Sequence, residues 1–321
     1  MTKPGRTALI TGIAGQDGSY LAELLLERHY RVVGVIRPES ATKRIDAILD
    51  QIELHHVDLL DRAELIRLIE TVEPDEVYNL AGHTFVPTSW DEPKLPREVT
   101  AVGASRLLEA IHKVNPGIRF YQASSSEIFG DAREEPQSEA TPPNPRNPYG
   151  AAKAAAHAAT IRARDELGVF AVSGILFNHE SPRRGHEFVS RKISDGVARI
   201  ALGMADTISM GSLDAQRDWG FAGDYVRAMW LMLQQDSPGD YVVATGIPHA
   251  VRDMCRIAFE RAGLDYEHHV LVDPMLVRPP DKVRLVGDPS RARRDLGWEP
   301  VVSFEALIAM MVDADIQRLR G

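Results

Sequence analysis

An α/β fold, with a doubly wound parallel sheet and a smaller α/β body interleaved toward the C-terminus, is what this sequence predicts from three observations. Short β-rich apolar runs alternate with helical patterns through the first half of the 321 residues, the rhythm of strand–helix–strand crossovers. Three glycines sit directly between the first such strand and the first helix. Beyond about residue 178 the Gly and Arg content rises and the alternation becomes irregular, which marks a second body. The expected division is 1–177 plus about 214–246 for the sheet domain, and about 178–213 plus 247–321 for the smaller one.

In chain order, strands are predicted at 7–11, 32–36, 53–57, 76–80, 119–124 and 170–177, with a late sheet strand at 241–245. Between the first two, Leu21, Leu24 and Leu25 form an apolar helix face while Glu23 and Glu27 form a charged one. That segment is a βαβ unit. The strand-to-helix turn reads Thr11-Gly12-Ile13-Ala14-Gly15-Gln16-Asp17-Gly18. Its G-x-x-G-x-x-G spacing differs from the usual G-x-G-x-x-G, but its place in a βαβ unit is that of a Rossmann-type pyrophosphate loop. A plain glycine turn is the alternative.

At the end of the second strand stands Arg37, where an arginine suits a ribose 2′-phosphate and hence NADP; a solvated surface arginine is the other reading. Asp58 and Leu59 leave the third strand where an adenine would lie, or form an ordinary strand exit. The fifth strand runs into Ser124-Ser125-Ser126-Glu127, delivering a hydroxyl and a carboxylate to the carboxyl edge of the sheet. Ser124-x-x-Glu127 also fits a helix capping box. Asn147-Pro148-Tyr149 reads as N-cap, first position and helix, which puts Tyr149 and Lys153 one turn apart on one face. A neighbouring ammonium and an oxidised nicotinamide both favour the phenolate, so Tyr149 is a candidate base.

Other classes are disfavoured. A net charge of −9 gives no general nucleic-acid surface. The apolar runs fall far short of the roughly 20 residues a membrane helix needs, and no signal-peptide hydrophobic region precedes the first strand. The single Cys255 forms no internal disulfide or multi-thiolate metal site and reads as a small buried hydrophobe, so a cytoplasmic protein without metal is expected.

At these residues the chain resembles the extended short-chain dehydrogenase/reductase superfamily and, within it, the GDP-mannose 4,6-dehydratases, nearly end to end. The most specific blocks are TGIAGQDGSYL from Thr11, FYQASSSEIFG from Phe120, PYGAAK from Pro148, GILFNHESPRRG from Gly174, GSLDAQRD from Gly211 and AMWLML from Ala228. The resemblance implies a redox-neutral dehydration with NADP reduced and reoxidised in each turnover. It implies catalytic roles for Tyr149 as base at C4, Glu127 as base at C5, Ser125 as partner of the C4 oxygen and Lys153 on the nicotinamide ribose. Cofactor contacts are implied at Gly12, Gly15, Gln16, Asp17, Gly18, Arg37, Asp58, Leu59, Leu80, Ala81, Thr84, His179 and Arg184. Contacts to the nucleotide sugar are implied at Ser125, Glu127, Asn178, Arg191, Lys192, Arg217 and Arg278. A homodimer or homotetramer is implied as well. Ser125 stands where many members have Thr, His83 where Gln is usual, and the helix after Lys153 lacks the usual aromatic residues. A dehydratase of GDP-heptose or another nucleotide hexose, or an NADPH-dependent reductase or epimerase, remain the alternatives.

Overall fold

Alternate residues of β1 (Thr7–Thr11) face opposite ways, and every one is buried. Leu9 joins one apolar cluster while Ala8 and Ile10 join another, so both faces of the strand are covered by helices. The structure, a computed structural model, describes residues 5–37, 39–82, 84–277 and 283–321. Arg278, His83 and Pro38 lie outside them.

The strands that follow are β2 (Arg31–Ile36), β3 (Glu53–His56), β4 (Glu76–Asn79), β5 (Arg119–Ser125), β6 (Ala171–Leu176), β7 (Asn178–Glu180), β8 (Ile208–Met210), β9 (Gln216–Phe221), β10 (Asp240–Val243), β11 (Pro248–Ala250) and β12 (Val270–Val272). Seven of them form one sheet in the order β10-β6-β5-β4-β1-β2-β3, with every pairing parallel. The doubly wound fold expected from the sequence is present, and each of its seven strands lies within two residues of the expected bounds. Chain order reverses between β1 and β4, which opens a crevice at the carboxyl ends of these strands.

The five short strands of the second half were not anticipated. β9 pairs in parallel with β7 and antiparallel with β11, and β8 pairs with β12. Four of the five have only three residues and carry too little periodicity to be read from a sequence. They surround a separate core of Ile193, Val197, Trp219, Phe259, Leu307 and Met311. The helix Ala222–Met232 packs on the main sheet's core, as do Ala292, Leu296 and Trp298 near the C-terminus. Among the described residues no helix is long and apolar enough to cross a membrane.

Candidate active site

The glycine loop takes its shape from contacts that only glycine permits. Gly12 has φ +73°, and a Cβ there would lie 2.9 Å from the Ala81 backbone nitrogen; a Cβ on Gly18 would lie 2.4 Å from Gly12 O. Gly15 is exposed and caps the helix Gln16–Glu27 with no side-chain hydrogen bond. The first amides of that helix are therefore bare, with the positive end of the helix behind them, which fits a diphosphate.

Beneath the loop a buried polar chain joins three strands. Thr11 Oγ1 donates to Asn79 Oδ1 at 2.6 Å, Asn79 Nδ2 donates to Gln122 Oε1 at 2.8 Å, and Gln122 Nε2 donates to Ala123 O at 3.0 Å. Thr11 Oγ1 also accepts from Ala81 N. Sequence reading missed Asn79 and Gln122; the available signal was an amide at the end of one apolar strand and inside the next.

The expected catalytic residues come together at the carboxyl end of β5. Asn147 caps the helix Pro148–Leu167, accepting from Gly150 N at 2.7 Å, so Tyr149 and Lys153 sit one above the other at its start. Lys153 Nζ lies 5.9 Å from the centroid of the Tyr149 ring and donates to Ala123 O at 2.7 Å. The Tyr149 phenol lies beside the Ser125 hydroxyl and feels the charges of Glu127 and Arg184. Ser125 Oγ accepts from Glu127 N at 3.2 Å, and Glu127 Oε2 accepts from Asn147 Nδ2 at 2.7 Å. The capping box read at Ser124 is not formed: Ser125 does the capping, Glu127 turns its carboxylate to Asn147, and the buried Ser124 hydroxyl has no partner among the described residues.

Electrostatics here differ from the expected phenolate. Burial pushes the Tyr149 phenol up to about 12, with the Ser125 hydroxyl opposing and Glu127 adding to the rise. Burial also pushes the Lys153 ammonium down to about 8, opposed by Asp17. Without a cationic ring beside it, Tyr149 is therefore a protonated phenol at neutral pH. Two dry neighbours each disfavour their own charged form.

The remaining predicted positions divide. Asp17 lines the crevice, its Oδ2 2.9 Å from His179 Nε2, while His179 Nδ1 is 2.7 Å from Phe177 O. Gln16 bonds His179 O and Ser181 Oγ. Arg184 pairs with Glu180 at 3.0 Å and lies over the Phe188 ring. Leu80 and Ala81 form the opposite wall and Leu59 is buried; Arg37, Asp58, Thr84 and Lys192 are exposed. Asn178 opens β7 opposite Trp219 in β9, and Arg217, two residues earlier on β9, donates to Gln216 O at 2.7 Å. Arg191 has a side chain only 6% exposed, paired with Asp315 at 2.6 Å and donating to Pro182 O. Cys255 is buried, with its thiol pushed up to about 12, as a small hydrophobe would be.

Comparison with known proteins identifies the family. The family model for GDP-mannose 4,6 dehydratase matches residues 9–311. The chain belongs to the GDP-mannose 4,6 dehydratase family. GDP-mannose 4,6 dehydratase 1 of Arabidopsis thaliana is 48% identical over 331 aligned positions, covering 99% of this chain and 91% of the relative. The human GDP-mannose 4,6 dehydratase is 44% identical, covering 100% and 94%. Among solved structures, UDP-glucose 4-epimerase of Thermotoga maritima with UDP-glucose superposes with a TM-score of 0.87 at 25% identity, covering 98% of this chain and 99% of that one. UDP-glucose 4-epimerase of Thermus thermophilus in complex with NAD gives 0.83 at 29% identity, covering 96% and 98%. This member of the dehydratase family thus shares its scaffold with nucleotide-sugar epimerases, and the chemistry must be argued from the site.

Proposed function

We propose that the chain is a GDP-mannose 4,6-dehydratase, converting GDP-mannose to GDP-4-keto-6-deoxymannose and water. The observation that carries this reading is the meeting of Tyr149, Ser125 and Glu127 at one point beside the glycine loop. A phenol and a hydroxyl suffice for oxidation at a carbinol carbon; a carboxylate next to them is what an elimination needs in addition. Family membership supports the sugar and the base.

A nicotinamide dinucleotide fits the loop, with Gly12, Gly15 and Gly18 shaping the diphosphate cradle and Lys153 reaching the ribose. Arg37 at the end of β2 is the ground for choosing NADP. When bound, it would supply a hydride acceptor for sugar C4 and a hydride donor for C6. With the cationic nicotinamide ring beside it, the Tyr149 phenol would give up its own proton and then take that of the C4 hydroxyl, while Ser125 holds the C4 oxygen. The ketone so formed acidifies C5–H. Glu127 takes that proton, the C–H electron pair becomes the C5–C6 double bond, and the C6–O bond breaks as the hydroxyl leaves with the proton as water. Once hydride is restored at C6, the resulting enolate takes a proton at C5, and the proton first removed from the C4 hydroxyl closes the balance. Asn178, Lys192, Arg217 and Arg278 are the proposed contacts to the nucleotide sugar, with 178–213 and 247–321 as the body that carries most of them. His179, Asp17 and Arg184 complete the cofactor wall. Assembly as a homodimer or homotetramer, and a cytoplasmic location, belong to the same reading.

The decisive experiment incubates the chain with GDP-, dTDP-, UDP- and CDP-hexoses and follows water loss by mass. A 4-keto-6-deoxy product from GDP-mannose without added NADPH is expected. Net NADPH consumption instead would make it a reductase, and loss of water from another nucleotide sugar only would move the substrate.

A further inference from the structure

Asn147 makes a contact that helix capping does not require. Its Oδ1 accepts from Gly150 N at 2.7 Å, which completes the cap; its Nδ2 donates to Glu127 Oε2 at 2.7 Å. The residue is 8% exposed. The helix start is also pressed against Glu127 from the backbone side, since a Cβ on Gly150 would lie 2.4 Å from Glu127 O. Glu127 is thereby held at three places: its amide by Ser125, its carbonyl edge by Gly150 and one carboxylate oxygen by Asn147. Among the described residues Oε1 has no hydrogen-bond partner, so the second oxygen is the one left to meet a substrate.

We infer that Asn147 is a positioning residue for the elimination: one planar amide locks the helix that carries Tyr149 and Lys153 to the carboxylate of Glu127, and so directs Oε1 as the atom that receives the C5 proton. The inference rests on the dehydratase reading given above. An amide is suited to this because it presents an acceptor and a donor on one rigid group, whereas an aspartate caps a helix equally well and presents acceptors only. A base turned even slightly from C5–H loses much of its rate without any loss of substrate binding.

Asn147→Asp is therefore the informative variant, because it keeps the cap and sets a carboxylate against Glu127. The kcat for water loss from GDP-mannose should fall about 10- to 100-fold, while KM moves less than about threefold, as expected when an interaction confined to the transition state is lost. Deuterium uptake from solvent at C5 of added 4-keto-6-deoxy product should fall in parallel. The thermal midpoint should drop through like-charge repulsion and recover when Glu127→Gln is added, since the donor and acceptor are then exchanged; activity should not recover. A variant with wild-type kcat and C5 exchange in a dehydrating enzyme would overturn the role, as would a fall in midpoint that Glu127→Gln leaves in place. A wild-type chain that loses no water from GDP-mannose would instead sink the dehydratase reading, and the role with it.

Discussion

Glu127 and Lys153 show how a single side chain trades stability for chemistry. Glu127→Gln preserves shape and the contact geometry but removes the base, so the chain should bind nicotinamide dinucleotide as before while product formation falls by about 10²–10⁴-fold. Equilibrium cofactor binding and mass-detected water loss measure the two effects separately. The Lys153 ammonium is buried, with its affinity for a proton lowered to about 8, below its ordinary value of about 10.4. Between these values the unfolded chain holds more protons than the folded one, so stability gains as pH rises through that window. Lys153→Met removes the buried charge. It should be inactive and more stable at pH 7 by about 1–3 kcal/mol, with the gap closing as pH approaches 10. Denaturant unfolding at pH 7 and pH 10 checks this, and a variant less stable than wild type at pH 7 would contradict the assigned burial penalty.

At the scale of elements, the loop helix Gln16–Glu27 is tied to β7 by Asp17 and His179. The imidazole lies between two acceptors, the Asp17 carboxylate and Phe177 O, and stacks on Tyr225 at 4.7 Å. Burial alone would lower the affinity of His179 for its proton, but Asp17 outweighs it and the net direction is up. For Asp17 burial is again the largest influence and raises its value, yet His179 carries the net direction down. The pair's contribution is thus fully present between the ordinary aspartate and histidine values, and it fades as pH rises through the elevated histidine value or falls through the depressed aspartate one. Asp17→Asn should lower stability by about 1–3 kcal/mol near pH 6 and by much less at pH 9, as read by thermal unfolding in two buffers. An equal loss at both pH values would mean that His179 is not charged in the fold. The same helix was legible from Leu21 and Leu25, both buried here, because burial of one face leaves a 3.6-residue period. Its partner β7 was not legible, since three residues leave none.

Across the whole molecule, the two cores are joined at Asp218. This buried carboxylate in β9 accepts from Thr245 N at 2.8 Å, Thr245 Oγ1 at 2.7 Å and Gly246 N at 2.9 Å just after β10, and from Gly287 N at 3.3 Å in the C-terminal stretch. β10 is an edge of the large sheet, whereas β9 is the centre of the small one. Asp218→Ala strands several buried donors and should destabilise the chain by about 3 kcal/mol or more. Because Arg217 is its neighbour in sequence, affinity for GDP-mannose should weaken more than affinity for the dinucleotide. Calorimetric titration of both ligands measures that difference; equal loss of both would deny Asp218 its place between the two bodies.

The order of strands, the glycine loop and the pairing of Tyr149 with Lys153 could be read from the sequence because they depend on local periods and on steric demands of one or two residues. Ser125 and Glu127 were recognisable as a hydroxyl and a carboxylate at a strand end for the same reason. What each polar group faces was decided only by tertiary packing. The sequence carries Arg191 in a phosphate-contact motif, yet Asp315, 124 residues away, claims its guanidinium; a local motif gives no sign of a distant buried carboxylate. Asn147 likewise reads as a cap, and its second bond exists only because β5 and the helix Pro148–Leu167 meet. The protonated phenol of Tyr149 follows from that meeting too, since desolvation is a property of the assembled crevice and of no residue within it.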